Sequence, residues 1–100
     1  MLTIEKKECG TELGVSLAGR LDTISSSELE TALRDSLDGV TELVLDFEKL
    51  DYISSAGLRV LLSAQKTMQK KGSMKVTHVN ETIMEIFEVT GFTDILTIES

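Results

Sequence analysis

Two adjacent hydroxyls, Ser54 and Ser55, stand where an apolar, strand-like run gives way to helical spacing. Leu43-Val44-Leu45 precedes them, closed by Asp46 and Phe47. That run reads as a short strand covered on both faces. After the serines, Leu58, Leu61, Leu62 and Met68 recur at helical spacing. The stretch is strand, loop, helix, with both hydroxyls at the helix start. A serine there caps the helix by accepting from free backbone N–H groups. The same N–H groups and the helix dipole favour an anion. The chemistry on offer is a hydroxyl that can take a phosphate beside a ready anion site, with capping alone as the simpler reading of both serines. Gly57, two residues on, is a poor helix former unless something approaches the backbone closely, and a partner is the expected neighbour.

Other reactive groups are isolated. His78, the one histidine, falls in a predicted strand, and Cys9, the one cysteine, in a predicted turn with no cationic neighbour. Asp46 and Asp51 form a carboxylate pair without further ligands. Met68, Met74 and Met84 read as core filler. Lys66, Lys70 and Lys71 read as a charged helix face and partners for the helix C-terminus. The glycines are scattered and build no phosphate loop. No catalytic residue, no metal site and no cofactor is expected.

The elements that position the serines are legible from patterning. Leu2 and Ile4 alternate with Thr3 and Glu5, and Leu13, Val15 and Leu17 with Gly14, Ser16 and Ala18, giving two strands of a hairpin. Gly19-Arg20-Leu21-Asp22 leaves the second strand. A helix follows, with Ser25 and Glu28 or Ser27 and Glu30 as capping boxes and Leu29, Ala32, Leu33 and Leu37 as its apolar face. Asp38-Gly39 stops it. The central strand runs near Glu42 to Phe47, and the Ser55 helix ends at Lys70-Lys71-Gly72. Met74 to Val79 alternates as a further strand. Asn80 caps a helix carrying Ile83, Ile86 and Phe87, which Gly91 ends. Phe92, Ile95, Leu96 and Ile98 bury a last segment that fits a terminal strand. The order β-β-α-β-α-β-α, with that final β, predicts an α/β fold with mostly parallel pairing after the hairpin.

Residues 1–100 fit one domain. A hydrophobic share of 41% supports a core, and four aromatics without tryptophan predict an aliphatic one. Ten basic and seventeen acidic residues leave a net charge of −7, which disfavours nucleic acid and anionic membranes. No apolar run approaches a membrane span, and the N-terminus carries no signal-peptide pattern. One cysteine fits a reducing, cytoplasmic setting.

Asp46 through Leu62, centred on Tyr52-Ile53-Ser54-Ser55-Ala56-Gly57-Leu58, resembles the signature of STAS domains, and more narrowly that of bacterial anti-sigma factor antagonists. Gly19-Arg20-Leu21-Asp22 resembles the family's Gly-x-Leu-Asp turn. The resemblance spans nearly the whole chain. It implies a small α/β STAS fold, a mixed, mostly parallel sheet with helices wound successively onto it. It also implies phosphorylation of a serine at the helix start. Aligned on Gly57-Leu58, that serine is Ser55. The aspartate that usually precedes it falls on Ser54, a second potential acceptor, and the usual following Ser/Thr on Ala56. Partner contact is implied for Asp22, Thr23, Ser54, Ala56, Gly57 and Arg59.

The function implied is a phosphorylation-controlled binding module without catalysis of its own. Dephosphorylated, it binds an anti-sigma factor that is also a serine kinase. Phosphorylated, it releases that partner, and a metal-dependent serine phosphatase resets it. The rival readings are a STAS scaffold acting on a non-transcriptional partner and a small nucleotide-binding protein.

Overall fold

A computed structural model describes residues 2–99. The elements are β1 (Leu2–Cys9), β2 (Glu12–Leu21), α1 (Ser25–Ser36), β3 (Glu42–Ile53), α2 (Ser55–Lys71), β4 (Ser73–Thr77), α3 (Glu81–Thr90), a 3₁₀ turn (Phe92–Asp94) and β5 (Thr97–Glu99). The five strands lie side by side in sequence order. β1 and β2 form the antiparallel hairpin, and β2–β3, β3–β4 and β4–β5 pair in parallel. The expected α/β architecture, helices wound successively onto a mostly parallel sheet, is the one observed.

Alternation along the strands decides which face is covered. Leu13, Val15, Leu17 and Leu21 on β2, and Leu43, Leu45, Phe47, Leu50 and Ile53 on β3, are buried in one core with Leu29 and Leu33 of α1, Leu58 and Leu61 of α2, and Ile83 and Phe87 of α3. The opposite face carries Thr3, Glu5, Ser16 and Glu48, all exposed. Leu43-Val44-Leu45 is therefore covered on one face only, contrary to the run's apolar look, and Val44 is half-buried on the open face. The core is mainly aliphatic, but Phe47 and Phe87 meet within it at 6.4 Å between ring centroids.

β3 is longer than its pattern suggests. It has 12 residues against 10 in β2. Pairing absorbs the difference at two irregularities, where Ser16 and Ala18 oppose Asp46 and Lys49, and Gly19 and Arg20 oppose Leu50 and Tyr52. Such bulges break the two-residue alternation, so Lys49-Leu50-Asp51-Tyr52-Ile53 reads as a loop although it is strand. β4 is shorter than expected. It ends at Thr77, and His78 stands beyond it at φ +56°. That turn sends Val79 into the core.

The start of α1 also departs from expectation. Neither capping box forms. Asp22 does the work: its Oδ1 accepts from the N–H of Ile24 at 3.1 Å and of Ser25 at 2.9 Å. Ser25 Oγ donates to the Arg20 carbonyl at 2.7 Å and accepts from the Asp22 N–H at 2.9 Å. Ser25 and Ser26 are buried polar residues, only 4% and 5% exposed, and Ser26 Oγ donates to the Thr23 carbonyl at 3.0 Å. Each hydroxyl is spent inside the turn, which is what makes its burial tolerable.

Two glycines are held by contact. A Cβ at Gly72 would lie 1.9 Å from the Thr41 carbonyl oxygen. A Cβ at Gly57 would lie 2.8 Å from Leu21 Cγ and 2.9 Å from Ile53 Cγ1, and both of those side chains are buried. Overpacking of this kind costs about 1–3 kcal/mol, more than the ~1 kcal/mol that Gly→Ala returns in helix propensity. Gly57→Ala and Gly72→Ala should both lower stability in denaturant unfolding, and a stabilised Gly57→Ala would refute the packing argument. A second expectation concerns acid. Hydrogen bonds from the Ser25 backbone and hydroxyl hold the Asp22 carboxyl below its ordinary value of 3.8. A lowered folded pKa stabilises above the unfolded value, and the effect disappears as pH falls through the folded one. The stability gap between wild type and Asp22→Ala should thus be constant near neutral pH and close as pH drops below 3.8. A gap that persists unchanged into strong acid would contradict it.

Candidate functional site

The ends of β2 and β3 bring the two halves of the site together. Leu21 pairs with Ile53, and the Ser54 N–H donates to the Leu21 carbonyl at 2.9 Å. The chain then leaves on one side as the Asp22 turn into α1, and on the other as Ser54 into α2. Both lie at the carboxyl edge of parallel strands, the edge where α/β sheets place their sites.

Ser54 is the N-cap of α2, extended at φ −96° and ψ 174°, and its Oγ accepts from the Gly57 N–H at 3.3 Å. Aspartate and serine serve about equally well as N-caps, so Ser54 fills the role available to an aspartate at that position. Ser55 is the first residue of the helix and is exposed. Its hydroxyl is free of the capping duty. Ala56 is half-buried and Arg59 exposed, one turn along the same helix.

The sequence-predicted residues are therefore assembled, but not all face outward. Thr23 is exposed, and Asp22 is half-buried with its carboxylate engaged in the turn. Gly57 is buried, and its missing side chain makes room for Leu21 and Ile53. The close approach inferred from the glycine is real, but it comes from the protein's own core.

Beside this edge, on the open face, Arg20 lies 4.4 Å from the Tyr52 ring centroid. The two are cross-strand partners, an arrangement worth about 0.5–1 kcal/mol when exposed.

Pattern reading missed two features. One is Ile24, which at 82% is the most exposed large hydrophobic side chain among the described residues. It stands in the Asp22 turn, where no periodicity applies. The other is a grouping further back along β3: ligand atoms of Asp46, Glu48 and His78 lie within 4.8 Å of one another. Asp51, the expected companion of Asp46, is not in it. The β3 bulge and the His78 turn, both invisible to alternation, bring the three together. Asp46 Oδ1 accepts from the Glu48 N–H at 3.0 Å and lies 3.0 Å from His78 Nδ1. The Asp46–His78 contact fastens the end of β4 to β3, and Glu48 joins it through its backbone N–H. Cys9 is exposed at the end of β1. Among the described residues, no helix is long and apolar enough to cross a membrane.

Comparison with known proteins agrees with this fold. Residues 4–97 match the family described as "Mlab, STAS domain". A relative from Bordetella bronchiseptica named "Putative anti-sigma factor antagonist BtrV" is 40% identical over 81 residues, 79% of this chain and 70% of that one. Among solved structures, an anti-sigma factor antagonist from Mycobacterium paratuberculosis superposes with a TM-score of 0.89 at 20% identity, over 99% of this chain and 86% of the other. SpoIIAA of Bacillus is similar in both its forms: TM-score 0.79 at 15% identity when unphosphorylated and 0.77 at 16% when phosphorylated. The alignments span 98% of this chain in each case, and 88% and 92% of SpoIIAA. On the family match, the similar relative and the shared fold, the chain belongs to the STAS domain family and is related to the bacterial anti-sigma factor antagonists.

Proposed function

We propose that this protein is an anti-sigma factor antagonist switched by phosphorylation of Ser55. Unmodified, it binds a serine-kinase anti-sigma factor through the edge formed by Asp22, Thr23 and the start of α2. Modified, it lets that partner go, and a metal-dependent serine phosphatase restores it. It is a substrate of the kinase and performs no catalysis itself.

The observation that carries this reading is the division of labour between the two serines. Ser54 is tied to the Gly57 N–H as the cap, while Ser55 is exposed at the first helical position. A kinase can reach the second hydroxyl without breaking the helix start.

Phosphate on Ser55 adds roughly −1.5 to −2 charge. At a helix N-terminus the dipole and the free N–H groups favour that anion by about 0.3–1 kcal/mol. The fold tolerates it, so the switch acts at the partner surface. Only about 3 kcal/mol of repulsion or lost packing there weakens binding more than a hundredfold.

Incubation with ATP and the serine-kinase anti-sigma factor encoded in the same genome should add one phosphate by intact mass, and peptide mapping should place it on Ser55. Ser55→Ala should stay unmodified and keep binding the partner. Ser55→Asp, with one charge and fewer acceptor oxygens, should weaken binding in part. Phosphate on Ser54, with Ser55→Ala still fully modified, would overturn the assignment. The serines should also separate in stability. Ser54→Ala should lose about 1 kcal/mol of cap, while Ser55→Ala melts like wild type. Phosphorylated and free protein should give similar melting curves and amide spectra, and changes spread through the sheet would show a conformational switch instead.

A further inference from the structure

We infer that Ile24 is an apolar anchor for the same partner and that Asp22 acts chiefly by holding it in place. This rests on the function proposed above and adds to it a residue and the chemistry of its receptor, an apolar pocket on the anti-sigma factor beside the part that reaches Ser55.

Three large hydrophobic side chains are exposed among the described residues: Ile24 at 82%, Val89 at 81% and Ile95 at 41%. A lone exposed apolar side chain is ordinary on a protein surface. The setting of Ile24 is not. It stands at the carboxyl edge of the sheet, on the turn next to the start of α2, whereas Val89 lies on α3 and Ile95 follows the 3₁₀ turn at the far end of the chain. The fold makes no use of it. Its side chain stays in solvent, and the capping of α1 falls to Asp22, not to Ile24.

The turn beneath it is rigid. The Ile24 N–H is held by Asp22 Oδ1 at 3.1 Å. The residues around it are fixed by the bonds of Ser25 to Asp22 and Arg20, by Ser26 Oγ to Thr23, and by the Ser26 N–H to the Asp22 carbonyl at 2.9 Å. An apolar side chain on a preorganised backbone gives up little entropy on binding, which is what an interface anchor requires. Asp22 spends its carboxylate on this turn. A residue at this position can therefore govern partner binding without touching the partner.

The test is the affinity of unphosphorylated protein for the purified serine-kinase anti-sigma factor of the same genome. Burial of one isoleucine side chain predicts that Ile24→Ala raises Kd about tenfold to a hundredfold, with an unchanged melting curve because the side chain supports nothing internally. Val89→Ala should bind like wild type. Asp22→Ala should also lose affinity. Asp22→Asn keeps a side-chain oxygen able to cap the turn, so it should recover most of what Asp22→Ala loses. If Asp22→Asn is as weak as Asp22→Ala, the aspartate acts through its charge and its positioning role is wrong. If wild type binds and Ile24→Ala binds equally well, the anchor is wrong while the proposed function stands. If wild type binds no such kinase, the proposed function falls and the anchor with it. A wild-type dimer that Ile24→Ala dissociates, with partner affinity unaffected, would assign the side chain to self-association and overturn the anchor.

Discussion

Leu21 occupies the space that a side chain at position 57 would need. This contact joins the end of β2 to the first turn of α2, and the candidate site hangs on it. The Leu21 carbonyl receives the Ser54 N–H at 2.9 Å, so one residue sets both the height of the helix start and its distance from the sheet. Moving Leu21 would shift the Asp22 turn and the two serines together. The site is two chain exits sharing one buried leucine, and its precision comes from core packing rather than from bonds among the exposed groups.

The bulges of β3 serve the same end. β2 and β3 run side by side but differ by two residues in length. Without the two irregularities, the pairing that matches Leu13 with Leu43 would not bring Leu21 opposite Ile53. Each extra residue in β3 lets the strand regain register with its buried side chains still inward. Asp46 steadies the first bulge by accepting the Glu48 N–H. The open face, with its exposed Thr3, Glu5, Ser16 and Glu48, tolerates such distortion because no helix must pack there.

How much was legible follows from where periodicity holds. Leu29 and Leu33, Leu58 and Leu61, and Ile83 and Phe87 lie on regular helices, and their burial was readable from spacing alone. Gly91 at φ +81° and Asn80, whose Oδ1 accepts from the Ile83 N–H at 2.9 Å, obeyed capping chemistry. The failures cluster where strict periodicity gives no guidance: at turns, at strand ends and where a second layer is absent. Ser25 and Ser27 looked like the start of capping boxes, but Asp22 caps the turn by accepting from the Ile24 and Ser25 N–H groups, and Ser25 turns its hydroxyl back to the Arg20 carbonyl. His78 seemed to continue the alternation of β4, yet its N–H bonds to Glu99 at 2.9 Å and its backbone turns left-handed. Val44 looked like the middle of a strand covered on both sides because an apolar run does not say whether a second layer exists. At the candidate site, the order of Ser54 and Ser55 was readable, but the reason for Gly57 was not, since it depends on two side chains that arrive from neighbouring strands.

Ser54 stands where the resemblance would place an aspartate, and the exchange bears on the proposed switch. A carboxylate at that position would cap α2 as Ser54 does, but it would also set a negative charge beside the hydroxyl to be modified. Phosphate on Ser55 would then meet repulsion from its neighbour, at about 1 kcal/mol for charges 4 Å apart in water and more where solvent is partly excluded. A neutral cap removes that repulsion while leaving the helix N-terminus equally well closed. The dipole and the remaining free N–H groups are then balanced against the phosphate alone. Under the proposed modification of Ser55, the added charge would be felt mainly by whatever faces Ser55 from outside, and the chain's own helix would have little reason to yield.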